Sequence, residues 1–597
     1  MRAVLAGESL VLAAALAIMA LLPLAEIVLR AVLQTGISGA AALGQHFGLI
    51  AGMLGAAVAA REGRLLALSS VESLLQGRAA VASRFFTSSV GAMVAALLAF
   101  ASFELVRAEH AGGNFIVYGV PVWLGQAALP LGFSLIALRL AWAASARWTV
   151  RLGTFALVAL AVFAAANRAV LGDAMTIAAL GALLVAAVLG SPVFTTLGGA
   201  ALILFWASDL PLASVALDHY RMVVNPSLPM IPLFTLAGYF LAEGGAPRRL
   251  IRVFNALFGS MRGGAAIVTV LACAFFTSFS GASGVTIIAM GGMLMPLLVS
   301  AGYSQKAALG LLAGAGSLGG LLPPGLPLVL YAIVAKISIE EMFLAGLVPG
   351  LLMLGLVAVW GLRLAPAAPR APRRFEAAEA RAALWDAKWE LLLPVVAFAA
   401  LFGGFATPVE AAALTAVYAF VVEVLVYRDL NIRRDVPRVM AECGLLIGGV
   451  LLILGVALGL ANFLVDARVP ERVVDWASAA FDSRWTFLLA LNAFLLLAGC
   501  LLDIFSAIVI LVPLLMPLGE AFGLDPLHLA ILFLVNMELG YLTPPVGMNL
   551  FFTAYRFRKP LPEVFRAALP AAAVIAAGVL VVSFAPWLST TLPGVFR

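Results

Sequence analysis

Two segments of the sequence carry the same punctuation: "GSLGGLLPPG" at 316–325 and "ELGYLTPPVG" at 538–547. Proline has no backbone N–H to donate and blocks the helical turn behind it. A double proline flanked by glycines therefore predicts a helix broken in its middle, with carbonyls freed from helical partners. Such oxygens are the ligands that hard cations take, and half-helix N-termini beside them favour an anion. A plain Pro kink is the alternative at either place taken alone. Upstream of the first break, "TSFSGASGVT" sets Thr277, Ser278, Ser280, Ser283 and Thr286 among small residues, with Gly281 and Gly284 opening the backbone. Hydroxyls so closely spaced suit ion or carboxylate contacts, although Ser and Gly equally permit close helix packing. Upstream of the second break, "LAGCLLDIF" holds Asp503, a single carboxylate inside an apolar run. It is either functional or a local cap. Asn536 and Asn549 flank the second break as polar contacts or as helix–helix hydrogen bonds. Ser278, Thr286, Asp503, Asn536 and Asn549 are thus the candidate substrate contacts. His46, His110, His219 and His528 are scattered and take no assigned role.

The elements that position these residues repeat. The stretch from Met293, "MLMPLLVSAGYSQKAALGLLAGAGSLGGLLPPG", lies over the stretch from Leu514, "LLMPLGEAFGLDPLHLAILFLVNMELGYLTPPVG", without a gap. Pro296 falls on Pro517, Gly302 on Gly523, Gly319 on Gly540 and Pro323-Pro324 on Pro544-Pro545, each pair 221 residues apart (517 − 296). Each copy carries five predicted crossings plus a region that enters and leaves on one side, 263–302 and 484–523. Both regions read as re-entrant hairpins. An odd number of crossings inverts the second copy, a common plan for membrane transporters.

Composition agrees. Of 597 residues, 64% are hydrophobic and 11% charged, and mean hydropathy is +1.10. Soluble chains carry about a quarter charged residues, and apolar runs of roughly 20 residues span a bilayer. Runs near 9–32, 37–60, 84–106 and 117–143 predict four N-terminal helices, and 152–167 a fifth. Between the second and third, Arg61, Arg64, Arg78 and Arg84 mark a predicted interfacial amphipathic segment at the cytoplasmic face. The net charge of +6 resides in short Arg clusters between apolar runs, and all fall on one side when the spans are counted, as cytoplasmic loops do. The loop 208–226, with Asp209 and Asp218, is expected outside, as is 466–482, while 246–262 and 370–386 are expected inside. No soluble basic face offers a nucleic-acid surface, and no G-x-x-x-x-G-K-[ST] offers a nucleotide site. Cys273, Cys443 and Cys500 have no metal-like spacing. The first apolar run is too long for a signal peptide and reads as a membrane helix.

With these motifs in view, the sequence resembles the tripartite ATP-independent periplasmic (TRAP) transporter family. The large membrane subunit is matched by "IPLFTLAGYFLAEGG" (231–245), "SFSGASGVT" (278–286), "GSLGGLLPPGLPLVLY" (316–331), "GGFATPVEAAALTAVYA" (403–419) and "GLDPLHLAILFLVNMELGYLTPPVGMNLF" (523–551). Residues 1–147 resemble the small membrane subunit, most clearly in "YGVPVWLGQAALPLGFSLIALRL". The resemblance implies an all-α polytopic inner-membrane protein of bacteria, not an enzyme. Its domains would be a four-helix scaffold (1–147), a connecting helix (148–170) and a transport domain (171–597) of two inverted repeats, about 171–385 and 386–597. It further implies an elevator mechanism within membrane lipids, with sodium ions driving uptake of a small organic anion delivered by a periplasmic substrate-binding protein. Carried over by motif, one sodium site would use Ser280, Ser283, Gly319, Leu322 and Pro324, and a second Gly499, Gly540, Thr543 and Val546. Many relatives have Ser where this chain has Ala282. The rivals are a sodium/anion symporter working without a binding protein and a membrane-embedded transferase. The latter would need an Asp-rich motif or a His-Asp pair, and neither is present.

Overall fold

The computed structural model describes residues 2–67, 77–145, 147–167, 172–281, 283–366 and 375–596. Ala282 and parts of the 61–84 segment and the 370–386 loop lie outside the described residues. Within them, regular structure is helical, apart from the isolated bridges Ala67–Pro192 and Phe115–Pro121. Twelve of the described helices are long and apolar enough to cross a membrane, or thirteen with the bent pair Gln305–Leu321 and Leu326–Ala335.

The chain packs as two compact units. The first, Met1–Pro232 with Pro437–Pro470, joins the N-terminal helices to helices much later in sequence. Glu8 on the first helix, Arg2–Leu33, pairs with Arg61 at 2.7 Å and also with Arg139, tying three helices together at one end. Helix Ala40–Glu62 meets the long helix Asp435–Asp466 backbone to backbone: a Cβ on Gly55 would stand 2.0 Å from the Gly444 carbonyl oxygen. Small residues allow such approach where no hydrophobic drive separates lipid from protein. The expected outside loop at 208–226 is instead largely a helix, Ala213–Val223, with Asp218 and His219 buried. Its apolar residues recur at helical spacing, Val215, Ala216, Met222 and Val223 all being buried, which a loop reading based on two aspartates overlooked.

The second unit, Leu233–Val436 with Glu471–Arg597, holds both repeats' hairpins and breaks. Helices Gly264–Ser280 and Ser283–Ser300 form the first hairpin, and Arg484–Leu501 and Ile504–Ala521 the second. The first turns at Gly281, whose φ of 64° is left-handed and free of cost only for glycine. The first broken helix is Gln305–Ala315, a 3-10 turn Leu318–Leu321 and Leu326–Ala335, bent by 44°. The second is Pro526–Gly540 followed by Met548–Phe557. Each Pro-Pro bond is cis. The expected loops at 246–262 and 466–482 contain helices Ala246–Phe258 and Val469–Ala480. Both carry charge on one face, which had read as loop polarity.

Candidate functional site

At the first break, the 3-10 turn lies against the first arm of its hairpin. A Cβ on Gly319 would sit 2.2 Å from the Ala274 carbonyl oxygen and 2.8 Å from Thr277 Cβ. Thr277 donates to the Gly316 carbonyl (2.7 Å) and can accept from the Thr286 hydroxyl (2.8 Å), and Ser280 Oγ is 3.5 Å from Thr286 Oγ1. Ser280, Thr286 and Gly319 are thus linked through Thr277, with Ser283 buried at the start of the returning helix. The N–H of Leu322 bonds back to Gly319 and that of Gly325 to Leu322. Pro323 and Pro324 donate nothing. Each carbonyl used in a turn keeps a second lone pair, so the break remains rich in acceptors. Ser278 is not drawn in: its hydroxyl bonds back to the Phe275 carbonyl at 2.9 Å.

At the second break the backbone approach is closer still. A Cβ on Gly540 would fall 2.4 Å from the Gly499 carbonyl carbon, so Gly540 has no room for a side chain, while a Cβ on Gly499 would be tight at 3.2 Å. The Val546 N–H donates to the Cys500 carbonyl at 3.3 Å, and Tyr541 Oη accepts from the Ile504 N–H at 2.9 Å. Thr543 Oγ1 donates to the Gly540 carbonyl at 2.9 Å, leaving its lone pairs free. Gly499, Gly540, Thr543 and Val546 are therefore neighbours, with the Cys500 and Gly540 carbonyl oxygens among them. These donors fit a hard monovalent cation, because they are all oxygen and carry no formal charge. Asp503 is the N-cap of the second hairpin's returning helix: Oδ1 accepts from Phe505 N (3.0 Å) and Ser506 N (3.1 Å), and Oδ2 accepts from the Ser506 hydroxyl.

The two asparagines divide. Asn536 Nδ2 donates to Asn492 Oδ1 (2.7 Å), which also accepts from Ser583 (3.1 Å), a bond between neighbouring helices away from the break. Asn549 Nδ2 reaches the other repeat, donating to Ala313 O (3.0 Å) and Ser317 Oγ (2.9 Å). Sequence reasoning missed Glu538, which is 2% exposed and lies within interaction range of Ser317. Its signal was an ionisable residue inside an apolar run, hidden within a motif read for its prolines.

Residues 180–588 match the tripartite ATP-independent periplasmic transporter, DctM component, and residues 19–148 match the DctQ component. The chain belongs to the TRAP transporter family. It carries both TRAP membrane components in one polypeptide and is a multi-pass protein of the bacterial inner membrane. The C4-dicarboxylate TRAP transporter large permease protein DctM of Pseudomonas aeruginosa is 39% identical over 403 residues, 66% of this chain and 93% of that one. The isethionate TRAP transporter permease protein DctMQ of Oleidesulfovibrio alaskensis is 32% identical over 409 residues, 67% of this chain and 63% of its own. The ectoine/5-hydroxyectoine TRAP transporter large permease protein UehC of Ruegeria pomeroyi is 31% identical over 396 residues, 65% of this chain and 91% of its own.

Proposed function

We propose that this TRAP permease couples inward sodium flow to uptake of a small organic acid anion, a C4-dicarboxylate or a similar acid, delivered by a periplasmic substrate-binding protein. The close approach of Gly499 and Gly540 carries this reading, since it sets the backbone of a hairpin directly against that of a broken helix. The first break repeats the arrangement with Gly319 and Ser280. The substrates printed in the names of the relatives from Pseudomonas and Oleidesulfovibrio supply the substrate class. Residues 1–147 would serve as a scaffold, 148–170 as the connection and 171–597 as the inverted repeats that carry the sites. An elevator step draws support from the partition of the chain, because both hairpins and both broken helices belong to one compact unit.

Two sodium ions entering with a monoanion would carry one net charge inward, worth about 2.3 kcal/mol per 100 mV of membrane potential. With a doubly charged C4-dicarboxylate they would carry none, and the sodium gradient alone would drive uptake. Uptake into proteoliposomes supplied with the purified binding protein should depend on external sodium and collapse when choline or potassium replaces it. Equal rates in both media would sink sodium coupling. Undiminished uptake without the binding protein would sink the delivery step.

A further inference from the structure

The two repeats touch at equivalent positions. Ser317 and Glu538 are 221 residues apart (538 − 317), the spacing that relates Gly319 to Gly540, and their side chains lie within interaction range of each other, Glu538 Oε1 standing 3.4 Å from where a Cβ on Gly320 would be. Residues on an internal two-fold axis must meet in this way. Each stands two residues before the glycine of its own broken helix. Ser317 is 3%, Glu538 2% and Asn549 0% exposed.

Hydrogen bonding around this point is incomplete. Asn549 Nδ2 donates to the Ser317 hydroxyl at 2.9 Å, and the Glu538 carboxylate lies within interaction range of the same hydroxyl, so an amide and a carboxylate flank it. Among the described residues neither Glu538 Oε2 nor Asn549 Oδ1 has a hydrogen-bond partner, and no Arg, Lys or His pairs with the carboxylate. Tyr541 is a neutral phenol nearby, and it supplies no positive charge to the carboxylate. Buried acceptors without donors are costly, and a buried unpaired carboxylate is costlier still. A proton on Glu538 would give one donor to two orphaned acceptors. A monovalent cation would satisfy both oxygens and the spare lone pair of Ser317, and would cancel the charge.

We propose that Glu538 Oε2, Asn549 Oδ1 and Ser317 Oγ form a third monovalent-cation site, taking sodium, on the axis between the two repeats. This deepens the sodium-coupled reading above and rests on it. The third ion is the only one whose charge the protein itself neutralises, so it binds without adding to the positive charge of the two neutral sites.

Binding of radioactive sodium to the purified full chain, titrated to saturation, tests the site. The wild type should hold one more sodium per chain than Glu538→Gln, with the unfolding temperature of the variant near that of the wild type. Gln reproduces a protonated carboxyl in shape, so an unchanged count and affinity in Glu538→Gln would show a carboxyl that is simply kept neutral and would overturn the proposal. Asn549→Ser, which withdraws Oδ1 but keeps a small polar side chain, should weaken the same ion about tenfold or more and leave the other two in place. If Glu538→Gln fails to fold, that variant decides, and sodium binding identical to wild type overturns the site. A wild type that binds no sodium removes the sodium-coupled reading itself. A wild type that binds two ions, both retained in Glu538→Gln, removes only the third site.

Discussion

The two hairpin tips face the same task and use different chemistry. The first turns on a left-handed Gly281 and is held by hydroxyls, Thr277 bridging Thr286 and the Gly316 carbonyl of its broken helix. The second has no such hydroxyl network. It turns on Asp503, whose carboxylate caps the returning helix, and it reaches its broken helix through the Tyr541 hydroxyl on the Ile504 N–H and through main-chain contacts, Gly499 against Gly540 and Cys500 O to Val546 N. The breaks differ in accessibility too, with Pro323 and Pro324 buried and Pro544 and Pro545 exposed. What the repeats share is backbone: a glycine at each break with no room for a methyl group. Side chains diverged around that shared backbone, as expected if carbonyl oxygens carry the common function and side chains tune each half.

The sharpest way to break this comparison is to fill the shared space. Gly319→Ala would push a methyl to 2.2 Å from the Ala274 carbonyl oxygen, and Gly540→Ala to 2.4 Å from the Gly499 carbonyl carbon. Neither neighbour is a side chain that can swing away. Overpacking of this kind costs about 1–3 kcal/mol and occasionally more. Both variants should lose sodium-driven uptake and unfold at lower temperature. Gly523→Ala is the control: it sits in a turn with φ 66° and open space around the Cβ position. It should cost only the left-handed penalty of roughly 1–2 kcal/mol and keep uptake per folded protein. Normal uptake by either Gly319→Ala or Gly540→Ala would remove the close backbone approach from the mechanism.

Much of this architecture was legible in the sequence, because its causes are local. A double proline stops a helix wherever it falls, and a gapless spacing of 221 residues carries the repeat. The hairpins emerged from length and charge placement together, since 263–302 is too long for one crossing and its flanking charges put both ends on one side. Three kinds of feature were not legible. Helix Ala213–Val223 was read as an outside loop because burial of Asp218 and His219 depends on partners distant in sequence. The role of Asn536 depends on Asn492 and Ser583, which no local pattern joins to it. Glu538 was passed over because its importance comes from meeting Ser317, 221 residues away (538 − 317), once both helices have broken.

A smaller effect should separate side-chain from backbone ligation at the two sites. Thr543 keeps hydroxyl lone pairs beside the Gly540 carbonyl, whereas its equivalent in the first repeat, Leu322, has no side-chain oxygen. Leu322 instead packs against the helix Ile339–Arg363, close enough that a Cβ on Gly350 would meet it at 2.8 Å. Thr543→Ala should raise the sodium concentration for half-maximal uptake about 5- to 150-fold, the range of 1–3 kcal/mol typical of coupling energies. Leu322→Ala should leave that concentration near wild type and lower stability by about 2–5 kcal/mol, the usual range for such a truncation. If Leu322→Ala shifts the sodium titration more than Thr543→Ala, packing rather than ligation controls the ion at both breaks.

The smallest expected effect concerns the second tip. Asp503 accepts from the backbone N–H groups of Phe505 and Ser506, so its cap can be separated from its charge. Asn retains a side-chain oxygen and is as good an N-cap as Asp, whereas Ala supplies none and typically costs about 1 kcal/mol. Asp503→Asn should therefore unfold close to the wild-type temperature, and Asp503→Ala a few degrees lower. The first tip has no equivalent, since Gly281 forms its turn with backbone alone, so Ser283→Ala should not reproduce the loss seen with Asp503→Ala. A substrate contact at Asp503 adds a second signature, a change in the anion concentration for half-maximal uptake in Asp503→Asn at unchanged stability. Thermal unfolding and anion titration of the same three variants read the two roles independently. If Asp503→Asn is as unstable as Asp503→Ala, the negative charge and not the hydrogen-bonding oxygen holds the second tip, and the contrast between the tips becomes electrostatic rather than geometric.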